Sequence, residues 1–446
     1  MSSPEFSYSQ DVLHQLAADV LRHARELGAT ACEADVSEAF GLSVTVRKRE
    51  IETIEYNRDK GIGVTTYLGQ RRGHASTSDF SPQALRATVA AAVSIARLTA
   101  ADPCAGLPEA KLLAKEGKNL DLYHPWHLPV EEAMTIARQC EEAAFAVSPL
   151  IRNSEGASVS LQHSQFVFAN SLGFMGGFPT SRHFISCAVI AGKGNRMQRD
   201  DWHTSARDWT KLAAPAAVGD YAARRALSRL GAKRLKTRQV PVLFEAPLAS
   251  GLIGSLVHAV SGGSLYRKTS FLLDSIGQKI FPSHVHISER PHLPGAMASS
   301  PFDDDGVATH DREVVSAGVL QGYFLSTYSA RKLGMQTTGN AGGCHNLIVR
   351  PGSLDFRGLL RKMGTGLLVT ELLGQGVNYV TGDYSRGAAG YWVEDGEIAY
   401  PVQEITIAGN LREMFQGIAA IGNDILVRGS KQVGSILIER MTVAGR

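Results

Sequence analysis

The chain has 446 residues, 44% of them hydrophobic and 20% charged, an ordinary globular mix with enough apolar material for large cores. Forty-six Lys and Arg against 43 Asp and Glu leave a net charge of +3, which gives no electrostatic case for a nucleic-acid partner. The five cysteines (Cys32, Cys104, Cys140, Cys187 and Cys344) are scattered and form no C-x-x-C pair, which excludes an obvious disulfide framework and fits a reducing compartment.

Residues 8–27 place Val12, Leu13, Leu16, Val20, Leu21 and Ala24 at helical spacing, and Gly28 follows as a stop. Leu42, Val44 and Val46 then alternate with polar residues, and Ile51, Ile54, Tyr56, Ile62 and Val64 continue the pattern between glycines, as in an antiparallel meander. Ser81-Pro82 opens an alanine-rich helix that runs to Leu98. Residues 101–128 carry Pro103, Pro108 and Pro125 and read as irregular. A helix is expected over about 129–146, a β region over 157–195 and a further helix over 216–230. Lys233–Arg238 is the longest basic cluster and reads as a short linker.

Beyond Val240 glycine becomes frequent and short β-like runs appear at Val314–Tyr323, Ala389–Val393, Glu397–Val402 and Ser435–Glu439. Helices are expected at about 247–261 and 356–373. The fold class is therefore α+β: an N-terminal α/β region with antiparallel sheets and helices (1–235, with sub-regions 1–100 and 126–230), then a C-terminal glycine-rich, mainly antiparallel β domain with a few helices (236–446). The polar first ten residues show no signal pattern, and no apolar run reaches the roughly 18 residues of a membrane span. The expectation is a soluble, cytoplasmic protein with no membrane partner.

The chain has no phosphate-binding G-x-x-x-x-G-K-[ST], no G-x-G-x-x-G after a strand, no G-x-S-x-G and no H-E-x-x-H. Three weaker signals remain. His284 and His286 would share one face of a strand, but a metal needs at least a third ligand. Asp303-Asp304-Asp305-Gly306 lacks the alternating ligands and terminal Glu of an EF-hand loop and reads more simply as an acidic turn. Cys344-His345 could pair nucleophile and base, but no third orienting group is evident.

A series of blocks in order resembles the TldE/PmbA family. They include Asp102-Pro-Cys-Ala-Gly106, Ser261-Gly-Gly-Ser-Leu-Tyr-Arg-Lys268, Phe271-Leu-Leu-Asp-Ser-Ile-Gly277, Thr381-Gly-Asp-Tyr-Ser-Arg-Gly-Ala-Ala-Gly-Tyr-Trp392 and Glu404-Ile-Thr-Ile-Ala-Gly-Asn410. The likeness covers nearly the whole chain. It implies a heterodimer with a TldD-type catalytic subunit that carries zinc on an H-E-x-x-x-H helix, small unfolded peptides as substrates, and no cofactor on this chain. Residues 236–446 would resemble the peptidase domain of TldD. An older label, modulator of DNA gyrase, also attaches to the family.

A zinc peptidase helix supplies two imidazoles and a carboxylate that takes a proton from metal-bound water, and a third ligand comes from elsewhere. Against the family motif, those positions fall here on Gly254, Ser255 and Ala259. No Asp or Glu occurs from Ala246 to Leu273, and His258 is the only histidine in that stretch. The downstream cysteine position falls within Val427-Arg-Gly-Ser-Lys431. The expectation is no catalytic and no metal-binding residue on this chain.

Residues that could instead touch a peptide or the partner are His258, Tyr266, Arg267 and Lys268, together with Asp383, Tyr384, Arg386, Gly387 and Gly390 in the glycine-rich strands. The small residues of those strands would let an extended peptide add along a sheet edge. Three readings stay open: a non-catalytic peptidase subunit, a stand-alone metallopeptidase using His284, His286 or His345, and a protein-binding regulator. A homodimer formed when the partner is missing is the second assembly the sequence leaves open.

Overall fold

The structure is a computed structural model that describes residues 5–115 and 117–445. Met1–Pro4, which carry part of the signal-sequence reading, lie outside the described residues. The chain divides into two compact units, the first built mostly of residues 1–228 with 294–296 and 301–309, the second of the remainder.

The first unit comprises α1 (Gln10–Glu26), β1 (Ala31–Arg47), β2 (Glu50–Leu68), β3 (Arg71–Thr77), α2 (Pro82–Leu98), α3 (Val130–Val147), β4 (Ile151–Asn170), β5 (Met175–Ala191), β6 (Gln198–Ala206) and α4 (Pro215–Ser228). Its sheet is antiparallel in the order β3-β2-β1-β4-β5-β6. Leu13, Ala17, Val20 and Ala24 of α1 and Leu85, Val89 and Ala92 of α2 bury against Ala34, Val36, Ile62 and Val64 of β1 and β2. Ser9 and Ser81 cap α1 and α2 by accepting the N–H groups of Val12 and Ala84. A second apolar cluster joins Leu113, Phe168, Phe174 and Phe302. Beside it the Asp303 carboxylate accepts the N–H groups of Asp305 and Val307, so the acidic segment is a tight turn closed by its own side chain.

The second unit comprises β7 (Arg238–Phe244), α5 (Ala246–Ala259), α6 (Gly262–Tyr266), β8 (Ile287–Glu289), β9 (Arg312–Ser316), β10 (Val319–Leu320), α7 (Thr327–Lys332), β11 (Leu347–Val349), α8 (Phe356–Met363), β12 (Gly366–Leu373), β13 (Asp383–Glu394), β14 (Glu397–Asn410), α9 (Leu411–Gln416), β15 (Ile418–Ile421), β16 (Leu426–Arg428), β17 (Lys431–Val433) and β18 (Ile436–Ala444). The short strands form one sheet in the order β10-β9-β8-β11-β17-β16. The long ones form another in the order β14-β13-β12-β7-β18-β15, and β14 also bonds to β18. Strands β7, β12, β13, β14 and β18 therefore close on themselves, with β7 and β12 parallel and the other pairs antiparallel. The arrangement is α+β, as the sequence indicates.

One expected element is different. The apolar run read as a helix over 356–373 is a short helix and a strand. Asp355 caps α8 through the N–H of Gly358, and Gly364 ends it at φ 68°. Gly366–Leu373 then runs as β12 between β7 and β13, with Leu368 packed toward α8 and Leu367 and Val369 toward the core that α5 covers. A strand buried on both faces loses the alternation that distinguishes it from a helix in sequence.

Candidate functional site

Helix α5 follows β7 after a single residue, Glu245, and carries Pro247 in its first turn. Leu252, Ile253 and Leu256 bury into the main core of the second unit, which fixes the rotation of the helix. That rotation turns Leu248, Gly251, Leu252 and Ser255 toward a cavity of about 130 Å³. Phe244 of β7, Leu372 of β12, Gln375, Val377 and Tyr379 of the β12–β13 connection, and Tyr384 and Arg386 of β13 complete its wall.

The cavity has an apolar side and a polar one. Phe244, Leu248, Leu252, Leu372 and Val377 form the first; Ser255, Gln375, Tyr379, Tyr384 and Arg386 form the second. Among the described residues that line it, Arg386 alone carries a formal charge. Its Nε is fully buried and donates to no acceptor, an arrangement that costs about 1–3 kcal/mol when nothing compensates it. Burial pushes the Tyr384 phenol up to about 12, although the Arg386 charge and a hydrogen bond from it pull the other way. Tyr384 therefore stays neutral and provides no counter-charge.

Gly254 lies on a neighbouring face of α5. A Cβ there would sit 3.7 Å from Cε of Lys431. The two segments matched to the family's ligand positions, α5 and Val427–Lys431, thus meet in space, but what they bring together is a glycine and a lysine. Cys344 joins this neighbourhood through a 3.7 Å contact between its Sγ and Ser430 Oγ, and burial holds its thiol in the protonated form. Ala259 is fully buried in the core, and Ser255 Oγ donates weakly to the Gly251 carbonyl at 3.4 Å.

The other residues singled out from sequence fall as follows. His258 is exposed on α5 with its ring 3.9 Å from that of Tyr379, centroid to centroid, and burial of that face together with the charge of Arg267 lowers its proton affinity. Tyr266 packs edge-on to Tyr328 and accepts a hydrogen bond from the Arg267 guanidinium; Arg267 and Lys268 are exposed. Asp383 is tied into its turn by Thr381 and Asn410, whose hydrogen bonds hold its carboxyl below the usual range. Tyr384 and Arg386 line the cavity. Gly387 and Gly390 sit mid-strand in β13, with β12 on one side and β14 on the other.

That last placement corrects the strand-addition idea: the closed ring leaves β13 no free edge for a peptide. Gly390 is explained by packing instead, because a Cβ there would lie 1.9 Å from the Leu368 carbonyl oxygen. The alternative metal candidates are also placed. His286 Nδ1 accepts the Ala317 N–H at 3.3 Å, and His345 Nε2 lies 3.0 Å from the Gly339 carbonyl while its backbone N–H donates to Glu289. Among the described residues, no three His, Cys, Asp or Glu side chains come together as a metal would require. Cys344 and His345 point to different partners, so they do not form the nucleophile–base pair considered above.

Sequence comparison places the chain. Residues 32–96, 123–230 and 237–445 match, in order, the first, central and C-terminal domains of the PmbA/TldA metallopeptidases. The chain belongs to the PmbA/TldD family, on its PmbA (TldE) branch. It is 48% identical to Metalloprotease PmbA of Escherichia coli O157:H7 over 414 residues, which is 93% of this chain and 92% of that protein. A Bacteroides thetaiotaomicron protein described as a proposed modulator of DNA gyrase superposes with a TM-score of 0.93 at 26% identity, covering 98% of this chain and all of the other. TldE from Thermococcus kodakarensis shares the fold, with a TM-score of 0.83 at 20% identity over 96% of this chain and all of the other.

The resemblance implies zinc in the family, and the residues it matches to the ligand positions, Gly254, Ser255 and Ala259, do not fit a metal. Gly254 and Ala259 offer no donor side chain, Ser255 is a poor ligand, and the side chain that faces Gly254 is the cation Lys431. Gln375 and Tyr379 were not singled out from sequence. Each lies in a connection whose position depends on the closure of distant strands, and no local pattern marks it.

Proposed function

We propose that this chain is the non-catalytic, TldE-type subunit of a two-chain metallopeptidase that cuts small unfolded peptides in the cytosol, with zinc and general base both supplied by a TldD-type partner. One observation carries the reading: α5 and the Val427–Lys431 segment meet as a ligand pair would, yet present Gly254 and Lys431. A helix with no carboxylate between Ala246 and Leu273 has no group to take a proton from metal-bound water. The chain would then contribute stability and one wall of the assembly rather than bond cleavage.

Metal analysis of the purified chain tests this directly. The reading expects far less than one zinc per chain after dialysis, and stable co-elution with a TldD-type partner on mixing. Stoichiometric zinc retained by this chain alone would instead support a metal site on His284, His286 or His345 and would overturn the proposal. Size-exclusion of the unmixed chain decides between monomer and homodimer in the same experiment.

A further inference from the structure

We propose that the cavity beneath α5 is a binding site for a single carboxylate borne on a short apolar body, held by Arg386 with Ser255, Tyr379 and Tyr384 around it. Three independent features point there. The Arg386 Nε is buried and has no acceptor, and the arginine itself lines a walled space. The remaining polar lining groups are a serine, a glutamine and two tyrosines, none of which brings a negative charge. The opposite wall is wholly aliphatic or aromatic.

A guanidinium presents a planar fork of N–H donors that matches a carboxylate in shape and charge. Hydroxyls from Ser255 and Tyr379, whose oxygens lie 3.5 Å apart, can donate to the same anion. A bulky dianion such as phosphate suits the site less, because one cation faces it and half the wall is apolar. The volume sets the size of the guest: a cavity of about 150 Å³ takes a molecule the size of benzene. The space here, about 130 Å³, accepts one short branched acid or one terminal residue, not a whole peptide.

Gly251 stands at the rim, exposed, and a Cβ there would meet nothing within 4 Å. Its lack of a side chain keeps the entrance open. The carboxylate chemistry holds whether or not the chain has a catalytic partner. That a peptide is the natural carrier rests on the function proposed above, and the probes separate the two.

The test is calorimetric titration of the full purified chain at low salt with 3-methylbutanoate and with its amide. Binding of the acid at least tenfold tighter than the amide is expected. Two variants should each remove that preference: Arg386→Gln, which deletes the charge, and Gly251→Leu, which fills the space without touching the arginine. Thermal unfolding of each variant establishes that it is folded. Acetylated tripeptides, ending in a free Val carboxylate, in Val amide, or in Val amide with an internal Glu, identify the carrier: a C-terminus, an acidic side chain, or neither. Equal binding of acid and amide, no binding of either, or an acid preference that survives in both folded variants would overturn the proposal.

Discussion

Glu33 and His163 make the stability of the first unit fall on both sides of a mildly acidic optimum. Burial, and then the charge of Asp305, push the Glu33 carboxyl up to about 7 from an ordinary 4.5. The folded state therefore holds this proton more tightly than the unfolded chain does. The stabilisation is complete below pH 4.5 and is lost as pH rises through 7. Glu33→Gln should stabilise the protein at pH 8 by on the order of 1–2 kcal/mol and have little effect at pH 4. Urea unfolding at the two pH values reads this out, and equal gains at both would contradict it. His163 behaves oppositely. Burial, then His183 and His127, push it down to about 4 from 6.5, so the unfolded chain takes up the proton first and stability falls as pH drops from 6.5 toward 4. His163→Phe should flatten that acid limb, because a phenyl ring can keep the stack on Phe40 without titrating. His258 offers a third test at this scale. It touches Tyr379 but has no carboxylate or second imidazole beside it on α5, so His258→Ala should lower cleavage by the reconstituted pair by no more than about threefold. A loss of several orders of magnitude in a folded variant would place it in the chemistry.

Elements held by local chemistry were legible in the sequence, and elements fixed by distant strands were not. Ser81-Pro82 announces α2 because a hydroxyl cap and a proline act within one turn. Strand β1 is readable because one face is buried and the residues alternate, whereas Ile51, Ile54 and Tyr56 of β2 are exposed and bury no face. Strand β12 is hidden in a continuous apolar run because it is covered on both faces, and the helix expected there stops ten residues early at Met363. The cavity was half visible. Tyr384 and Arg386 stood out in the glycine-rich segment, but Gln375 and Tyr379 reach it only once β12 and β13 have paired. Two substitutions probe this level. Gly390→Ala drives a methyl into the Leu368 carbonyl and should destabilise the second unit by about 3 kcal/mol, as read by urea unfolding. Asp355→Ala removes the cap of α8 and should cost about 1 kcal/mol while leaving the cavity and its ligand preference unchanged. Similar losses from both would mean that the close approach at Gly390 is relaxed in solution.

At the scale of the whole molecule, two units each carry their own core, and the second holds every residue of the candidate site. Closing β14 onto β18 leaves β13 no free edge, so its glycines offer no place for an added strand. Among the described residues, no helix is long and apolar enough to cross a membrane. The family's fold is retained, and the positions that the sequence resemblance matches to zinc ligands hold glycine, serine and alanine, with a lysine facing the glycine. On this view the chain keeps the architecture of a peptidase and relies on another for the chemistry. The direct measurement is hydrolysis of an unstructured peptide by this chain alone, by a TldD-type partner alone, and by the two mixed at equal concentration. The account expects activity only when the partner is present, highest in the mixture, and abolished by chelation of the partner's metal. Metal-dependent hydrolysis by this chain in isolation would contradict it.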